Sequence, residues 1–348
     1  MTNFDLPPDP YAVRSILVVK VGAVGDVLRT TCILPGLKSL YRNAQIYWLT
    51  HKDSIPLLIS NPYVSKIYEA DGSIPTSLIS PDYVINLEDT KSTAHLVSKL
   101  APRWVFGCYL DTSQSLNYTA SSSKWFDMSL VSKKGIDEAN LLKTHNTNTY
   151  PGILTAALNI SLSRPSLFLT GKEKVASRKL KQTLFPESRK IIGINTGAGG
   201  RWRLKTLPVS STVDLIEAIF SMSNSYVLIL GGPNEEDRNK QIERQVSSKA
   251  VYIRPMPSIR NFASLVNTCD ALVTSDSLCL HIGTSLSIPT VAFFGPTSSA
   301  EIELYGLGKT IQTDLACRCC YKTDCSIEAN CMETFPVEEL AKAVIQYI

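Results

Sequence analysis

Short apolar runs that stop at small-residue loops and hand over to helices recur in two successive series, and few folds accommodate that pattern. In the first series Ser15–Lys20 (SILVVK) is a continuous β-branched run, suited to a strand buried on both faces. It stops at the glycine-containing turn Val21–Asp26 (VGAVGD), and Val27–Leu40 has helical periodicity through Val27, Ile33, Leu34 and Leu37. Ala44–Leu49, Val64–Glu69, Tyr83–Leu87 and Trp104–Tyr109 are further strand candidates, with a helix over His51–Ile59. Strands alternating with helices predict a parallel sheet with right-handed crossovers.

The pattern fails over Leu110–Tyr150, which is rich in Ser, Thr and Asn with scattered aromatics (Tyr118, Trp125, Phe126). Helices are predicted at Tyr150–Leu158 and, charged and solvated, at Lys172–Lys181. The alternation then restarts. Ile191–Asn195 and Tyr226–Leu230 are strands; Val209–Ser221, Glu235–Val246 and Ile259–Asn267 are helices. Ala271–Val273 ends a strand, Ser275–Ser277 turns, Leu278–Ser285 opens a helix, and Ile288–Phe294 is a last strand stopped by Gly295-Pro296-Thr297. The expectation is an α/β chain of two Rossmann-like domains facing across a cleft. They would comprise residues 1–165 and 191–335, joined by a linker at 166–190 and followed by a C-terminal helix at 336–348.

Composition excludes several classes. The chain has 348 residues, 44% hydrophobic and 19% charged, which is globular rather than disordered. A net charge of +4 gives no electrostatic support for nucleic-acid binding. No apolar run approaches the roughly 18 residues of a membrane span, and the first residues carry no secretory signal pattern. A cytoplasmic protein is expected, in which nine cysteines are free, metal-bound or redox-active rather than disulfide-bonded.

Five loops at strand ends carry the chemistry. In the first, Lys20 ends a strand, Gly22 and Gly25 permit close approach, and Asp26 is either an N-cap or a general base for an attacking hydroxyl. In the second, Asn195–Leu207 (NTGAGGRWRLKTL), Thr196 and Gly197 precede Arg201, Arg203 and Lys205, a small-residue cradle with cationic walls for an anion. The third, Gly231–Arg238 (GGPNEEDR), offers Glu235 or Glu236 to a ribose or base, against the plainer reading of acids at a helix start. The fourth places Asp276, Ser277 and His281 around a helix N-terminus, beside Gly295, Pro296 and Thr297, where unpaired amides suit a phosphate. In the fifth, Pro255 and Pro257 hold Met256 in a stiff bend suited to packing on a nucleobase.

Taken in order, VVKVGAVGDVLRTTCILPGLK, NTGAGGRWRLKTLP, LILGGPNEEDR and VTSDSLCLHIGTSLSIPTVAFFGPT resemble glycosyltransferase family 9, the heptosyltransferases of the lipopolysaccharide core, over nearly the whole chain. That resemblance implies the GT-B architecture and transfer of a heptose from an ADP-activated donor, with inversion and without a metal. It implies Asp26 as catalytic base and Lys205 at donor phosphate and sugar. Asp276 would contact the donor sugar, His281 falls on the motif histidine, the Gly295–Thr297 turn on the donor phosphates, and Glu236 near the nucleoside. The acceptor would be a lipid-linked saccharide, with Lys20 and Gly25 on its side; the alternatives are another nucleotide-sugar, a protein acceptor, or a non-catalytic nucleotide-sugar or metal-binding protein. An oxidoreductase is disfavoured, since VGAVGD lacks the third glycine of the dinucleotide fingerprint and no acid closes the second strand.

Cys317, Cys320, Cys325 and Cys331, with Cys319 among them, form a finger over 317–331 whose spacing suits structural zinc or iron, with no part in transfer. An iron-binding cysteine site occurs in the branch of the resembled family that glycosylates autotransporter proteins. Cys32, Cys108, Cys269 and Cys279 read as core. The basic residues of 172–190 are candidates for peripheral contact with an anionic membrane face, against a solvated helix.

Overall fold

The computed structural model describes residues 2–4, 8–70, 80–187, 189–199 and 203–348, with Arg203 described by its backbone alone. The chain divides into two α/β units, Met1–Phe168 and Leu169–Ile348. Unit 1 contains β1 (Ser15–Val19), β2 (Gln45–Thr50), β3 (Lys66–Glu69), β4 (Tyr83–Asn86), β5 (Trp104–Leu110) and β6 (Leu116–Tyr118), in the sheet order β3-β2-β1-β4-β5-β6. Unit 2 contains β7 (Ile191–Asn195), β8 (Tyr226–Leu230), β9 (Ala250–Tyr252), β10 (Ala271–Ser275), β11 (Thr290–Phe294) and β12 (Gly308–Gln312), ordered β9-β8-β7-β10-β11-β12. Counted from its own first strand, each sheet has the order of a doubly wound nucleotide-binding fold, with its switch point where that order reverses. β1 pairs in parallel with β2 and β4, and β7 with β8 and β10. The inner strands are buried along their length, as their continuous apolar runs require.

The helix predicted over Val27–Leu40 is broken. An α-helix spans Val24–Thr30, a 3-10 turn Thr31–Ile33, and a second helix Leu34–Leu40 has a proline in its first turn. Pro35 cannot donate to the preceding turn, and Thr30 and Thr31 return their hydroxyls to the carbonyls of Asp26 and Leu28. The earlier helix start puts Asp26 inside the first turn, with Ala23 at the N-cap.

Leu110–Tyr150 is ordered by side chains. Asp111 accepts from the Ser113 and Ser115 amides, turning β5 into the antiparallel β6. Tyr118 donates to Asp127 at 2.6 Å, and Trp125 packs edge-on against the buried Tyr150 at 4.6 Å. Helix Ile136–His145 follows.

The helix expected over Lys172–Lys181, within residues 166–190, spans Gly171–Leu184 and belongs to unit 2. A capping box between Thr170 and Glu173 starts the helix. Glu173 takes two bonds of 2.5 Å from Arg260, Ser177 donates to the Ser264 carbonyl at 2.7 Å, and Lys181 pairs with Asp270 at 2.9 Å. Ser177, small and buried, lets this helix approach helix Ile259–Val266. Among the described residues no helix is long and apolar enough to cross a membrane.

Candidate functional site

Unit 2 has a cavity of about 290 Å³ at the carboxyl ends of its central strands. Its floor is the strand-end loops after β7 and β8, with Gly197, Gly231 and Gly232; its wall is Met256, Ile259 and Phe262; its far edge is Ser277 and Leu278. This is the switch-point crevice, where such sheets take their ligands. Gly197 and Met256, both singled out from their loops, line it. Glu235 also lines the cavity, whereas Glu236 is not among the described lining residues and pairs with Lys240 at 2.7 Å. That exposed pair lowers the Glu236 carboxyl below its ordinary range. The carboxylate at the pocket is Glu235, whose Oε2 accepts from the Gly232 amide at 2.8 Å.

Glycine is required around that carboxylate. A Cβ on Gly197 would lie 2.2 Å from Cγ and Cδ of Glu235, and one on Gly231 would lie 2.5 Å from Asn239 Nδ2 and 2.9 Å from Glu235 Cβ. Thr196 is buried behind the cavity, its hydroxyl on Asn239 at 2.5 Å. Asn195, the one polar residue of IIGIN, ties the crevice together. Its Nδ2 donates to the Gly197 carbonyl at 2.7 Å, Ser277 Oγ at 3.1 Å and Thr274 Oγ1 at 3.2 Å.

Ser277 occupies the N-cap position of helix Leu278–Ser285 but makes no capping bond from its side chain. Its hydroxyl is taken up by Asn195 and Thr274, which leaves the helix amides for another partner. Asp276 accepts from Lys205 Nζ at 2.6 Å, and Lys205 reaches the Asp276 carbonyl at 3.3 Å. These two charges, far apart in sequence, meet beside the cavity edge. His281 is buried one turn into the helix. Cys279 lines the cavity, and burial pushes its thiol well up. Arg201 and the Arg203 side chain lie outside the described residues.

The Gly295–Thr297 turn is held by the cysteine finger, a link that spacing alone concealed. The Cys319 amide donates to the Gly295 carbonyl at 3.2 Å and the Tyr321 amide to that of Pro296 at 2.8 Å. A Cβ on Gly295 would meet Cys331 Sγ and Met332 Cε, each at 2.6 Å. The finger thus supports a loop expected at the donor. Its fit to a metal is another matter. Cys331 is buried while Cys317, Cys320 and Cys325 are exposed, all nine cysteines are free, and among the described residues no group of three or more ligating side chains is gathered for a metal ion. The four-cysteine site expected from the spacing is not formed in this arrangement. The Cys331 thiol is pushed up to about 11, first by burial and then by the thiols of Cys320, Cys317 and Cys325.

In unit 1 Asp26 pairs with Arg29 at 3.0 Å and keeps 34% of its side chain exposed. It is the third residue of helix Val24–Thr30, with Gly25 before it, and is not the N-cap. Arg29 lies 4.0 Å over the Tyr150 ring and 6.0 Å from that of Trp125, so the irregular stretch packs against the side chain that holds Asp26. Lys20 Nζ is 2.9 Å from Glu88, a buried carboxylate the sequence reading passed over.

The family model for glycosyltransferase family 9 (heptosyltransferase) matches residues 79–330. Lipooligosaccharide heptosyltransferase 2 of Campylobacter jejuni is 25% identical over 171 residues, 46% of this chain and 52% of that protein. The chain thus spans about half the length of this curated relative. Among solved structures, the glycosyl transferase family 9 protein of Veillonella parvula matches with TM-score 0.73 and 16% identity, over 98% of both chains. ADP-heptose lps heptosyltransferase II of E. coli matches with TM-score 0.63 and 17% identity, over 95% of this chain and 99% of that one. The fold is GT-B, and the chain belongs to glycosyltransferase family 9.

Proposed function

We propose that this protein transfers a heptose from an ADP-activated donor to a hydroxyl of a lipopolysaccharide-core saccharide, inverting the anomeric centre. The observation that carries the reading is the unit 2 cavity, with an apolar wall at Met256, Ile259 and Phe262 and uncapped helix amides at Ser277–Leu278. A flat base suits the wall and a diphosphate suits the amides and helix dipole. The hydroxyls of Ser275 and Thr297, at and just beyond the ends of adjacent strands, are buried with no hydrogen-bond partner among the described residues. Buried polar groups of that kind favour an incoming acceptor such as phosphate. ADP-heptose as donor is also in keeping with the E. coli structure named above.

The chemistry asks little more of the chain. Breaking the anomeric bond develops charge on the leaving diphosphate, which Lys205 and the helix amides are suited to stabilise. Lys205 is oriented by Asp276 in the meantime. Asp26 takes the proton of the attacking hydroxyl, with Arg29 fixing its carboxylate. A single displacement inverts the centre, so no second carboxylate nucleophile is required. The proposed setting is cytoplasmic, where nine thiols stay reduced.

The test is incubation of the purified chain with ADP-heptose and a heptose-deficient core acceptor, following ADP release and the anomeric configuration of the product. ADP release coupled to an inverted glycoside is expected. Release that requires a protein acceptor would replace the saccharide, and no release with any acceptor would overturn the reading.

A further inference from the structure

Unit 1 has a switch point of its own, between β1 and β4, and it is filled from within. The amides of Val21 and Gly22, just past β1, both donate to Glu88 Oε1 at 2.7 Å, and Lys20 Nζ stands 2.9 Å from the same oxygen. Consecutive amides with an ammonium beside them are the donor set of a phosphate nest. Here the anion is a side chain from the loop after β4, 8% exposed. The Glu88 amide donates to Asn86 Oδ1 at 3.2 Å, and Asn86 Nδ2 to the Cys108 carbonyl at 2.8 Å, which anchors the carboxylate to the sheet. Gly22 permits the approach, since a Cβ there would lie 3.2 and 3.4 Å from the two carboxylate oxygens. Helix Val24–Thr30 starts two residues later without a side-chain cap and carries Asp26 in its first turn. The turn that sets its entry is therefore held by Glu88.

We propose that Glu88 is a built-in anion that fixes the Lys20–Ala23 turn, positions Asp26, and closes this crevice to phosphate-bearing ligands. It acts through the turn, as a positioning residue, and this part rests on Asp26 being the base. Removing it leaves two amides and an ammonium without their anion, at a site shaped for a small carboxylate.

The experiment compares wild type, Glu88→Ala and Glu88→Gln, measuring thermal unfolding and transfer from ADP-heptose in sodium acetate, in acetamide, and in sodium chloride of equal ionic strength. Acetate is expected to raise the Glu88→Ala midpoint by several degrees and leave wild type and Glu88→Gln unmoved, with acetamide inert. The Glu88→Ala kcat is expected to fall about 100-fold, as for a misplaced catalytic group, and to recover at least tenfold in acetate, roughly 1.4 kcal/mol. KM for the donor should stay within about twofold, because a misplaced base costs rate rather than binding. Equal response of wild type and variant to acetate, equal rescue by acetamide, or an undiminished kcat would overturn the proposal. If Glu88→Ala does not fold, Glu88→Gln decides: a folded variant with lowered kcat and unchanged donor KM supports it, and wild-type kcat refutes it. A wild type that transfers nothing refutes the functional reading alone, because the acetate effect on unfolding still reports on the nest.

Discussion

Replacing Gly197 with alanine tests whether the unit 2 cavity is shaped around Glu235. The new Cβ would fall 2.2 Å from Cγ and Cδ of Glu235 and 2.3 Å from its Oε1, far inside van der Waals contact. Glu235 Cβ lies only 2.9 Å from the place a Gly231 Cβ would take, so this side chain sits against glycines on both sides. The carboxylate must swing into the cavity and release the Gly232 amide. A hydrogen bond to a charged group contributes about 1.5–3 kcal/mol. In a unit of this size each kcal/mol moves the unfolding midpoint by about 2–4 °C. The expected fall is thus about 3–12 °C, with ADP affinity reduced at least about tenfold, or roughly 1.4 kcal/mol. Calorimetry and thermal unfolding read both quantities. Glu235→Ala in the same chain should lower the midpoint little further, because the bond to the Gly232 amide is already lost. Gly171→Ala, which opens a helix and meets nothing within 4 Å, should not lower it. A Gly197→Ala protein with wild-type midpoint and wild-type ADP affinity would refute the reasoning.

Three further outcomes are expected. Asp26→Asn should lower kcat by about 10²–10⁴-fold, the range for loss of a general base, with the donor KM little changed in steady-state assays. Gly295→Ala, by forcing Cys331 and Met332 away from the turn, should cost about 1–3 kcal/mol, and Cys331→Ala should recover part of it in denaturant titrations. Glu173 is held at about 2 against an ordinary 4.5, chiefly by Arg260. Its folded value being depressed, the stability it contributes is present above 4.5 and lost as pH falls toward 2. Arg260→Ala should flatten that acid limb of the midpoint–pH curve, and an unchanged limb would discard the pair as its cause.

The parts of the fold that could be read from sequence are those whose cause is local. Continuous β-branched runs such as SILVV and IIGIN must be buried on both faces, and they became central strands. Two short edge strands escaped: AVY has only three residues and GKTIQ is mostly polar, and both lie at sheet edges, where half the hydrogen bonding and packing is absent and the pattern is correspondingly faint. The ordering of Leu110–Tyr150 was illegible because it rests on individual side-chain-to-backbone bonds, such as those of Asp111, rather than on periodicity. Helix Gly171–Leu184 looked solvated because its attachment uses ion pairs and one buried serine in place of an apolar stripe.

In the candidate site, Lys205, Asp276 and Ser277 are singled out by their loops, but the Lys205–Asp276 pair depends on parallel neighbours distant in sequence. Glu235 and Glu236 differ by one residue and opposite surroundings, which no composition rule resolves. Glu88 had no signature, since its partners are backbone amides 66 and 67 residues away. Asn195 did have one: a buried amide closing an apolar strand calls for a network, and its three bonds supply it.

The measurement that bears most directly on the account is calorimetric titration with ADP, UDP and GDP, on wild type and on Lys205→Ala. The account requires preferential ADP binding at one site, weakened at least about tenfold, or roughly 1.4 kcal/mol, when Lys205 is removed. Preference for UDP or GDP, or ADP binding that ignores the substitution, would contradict it.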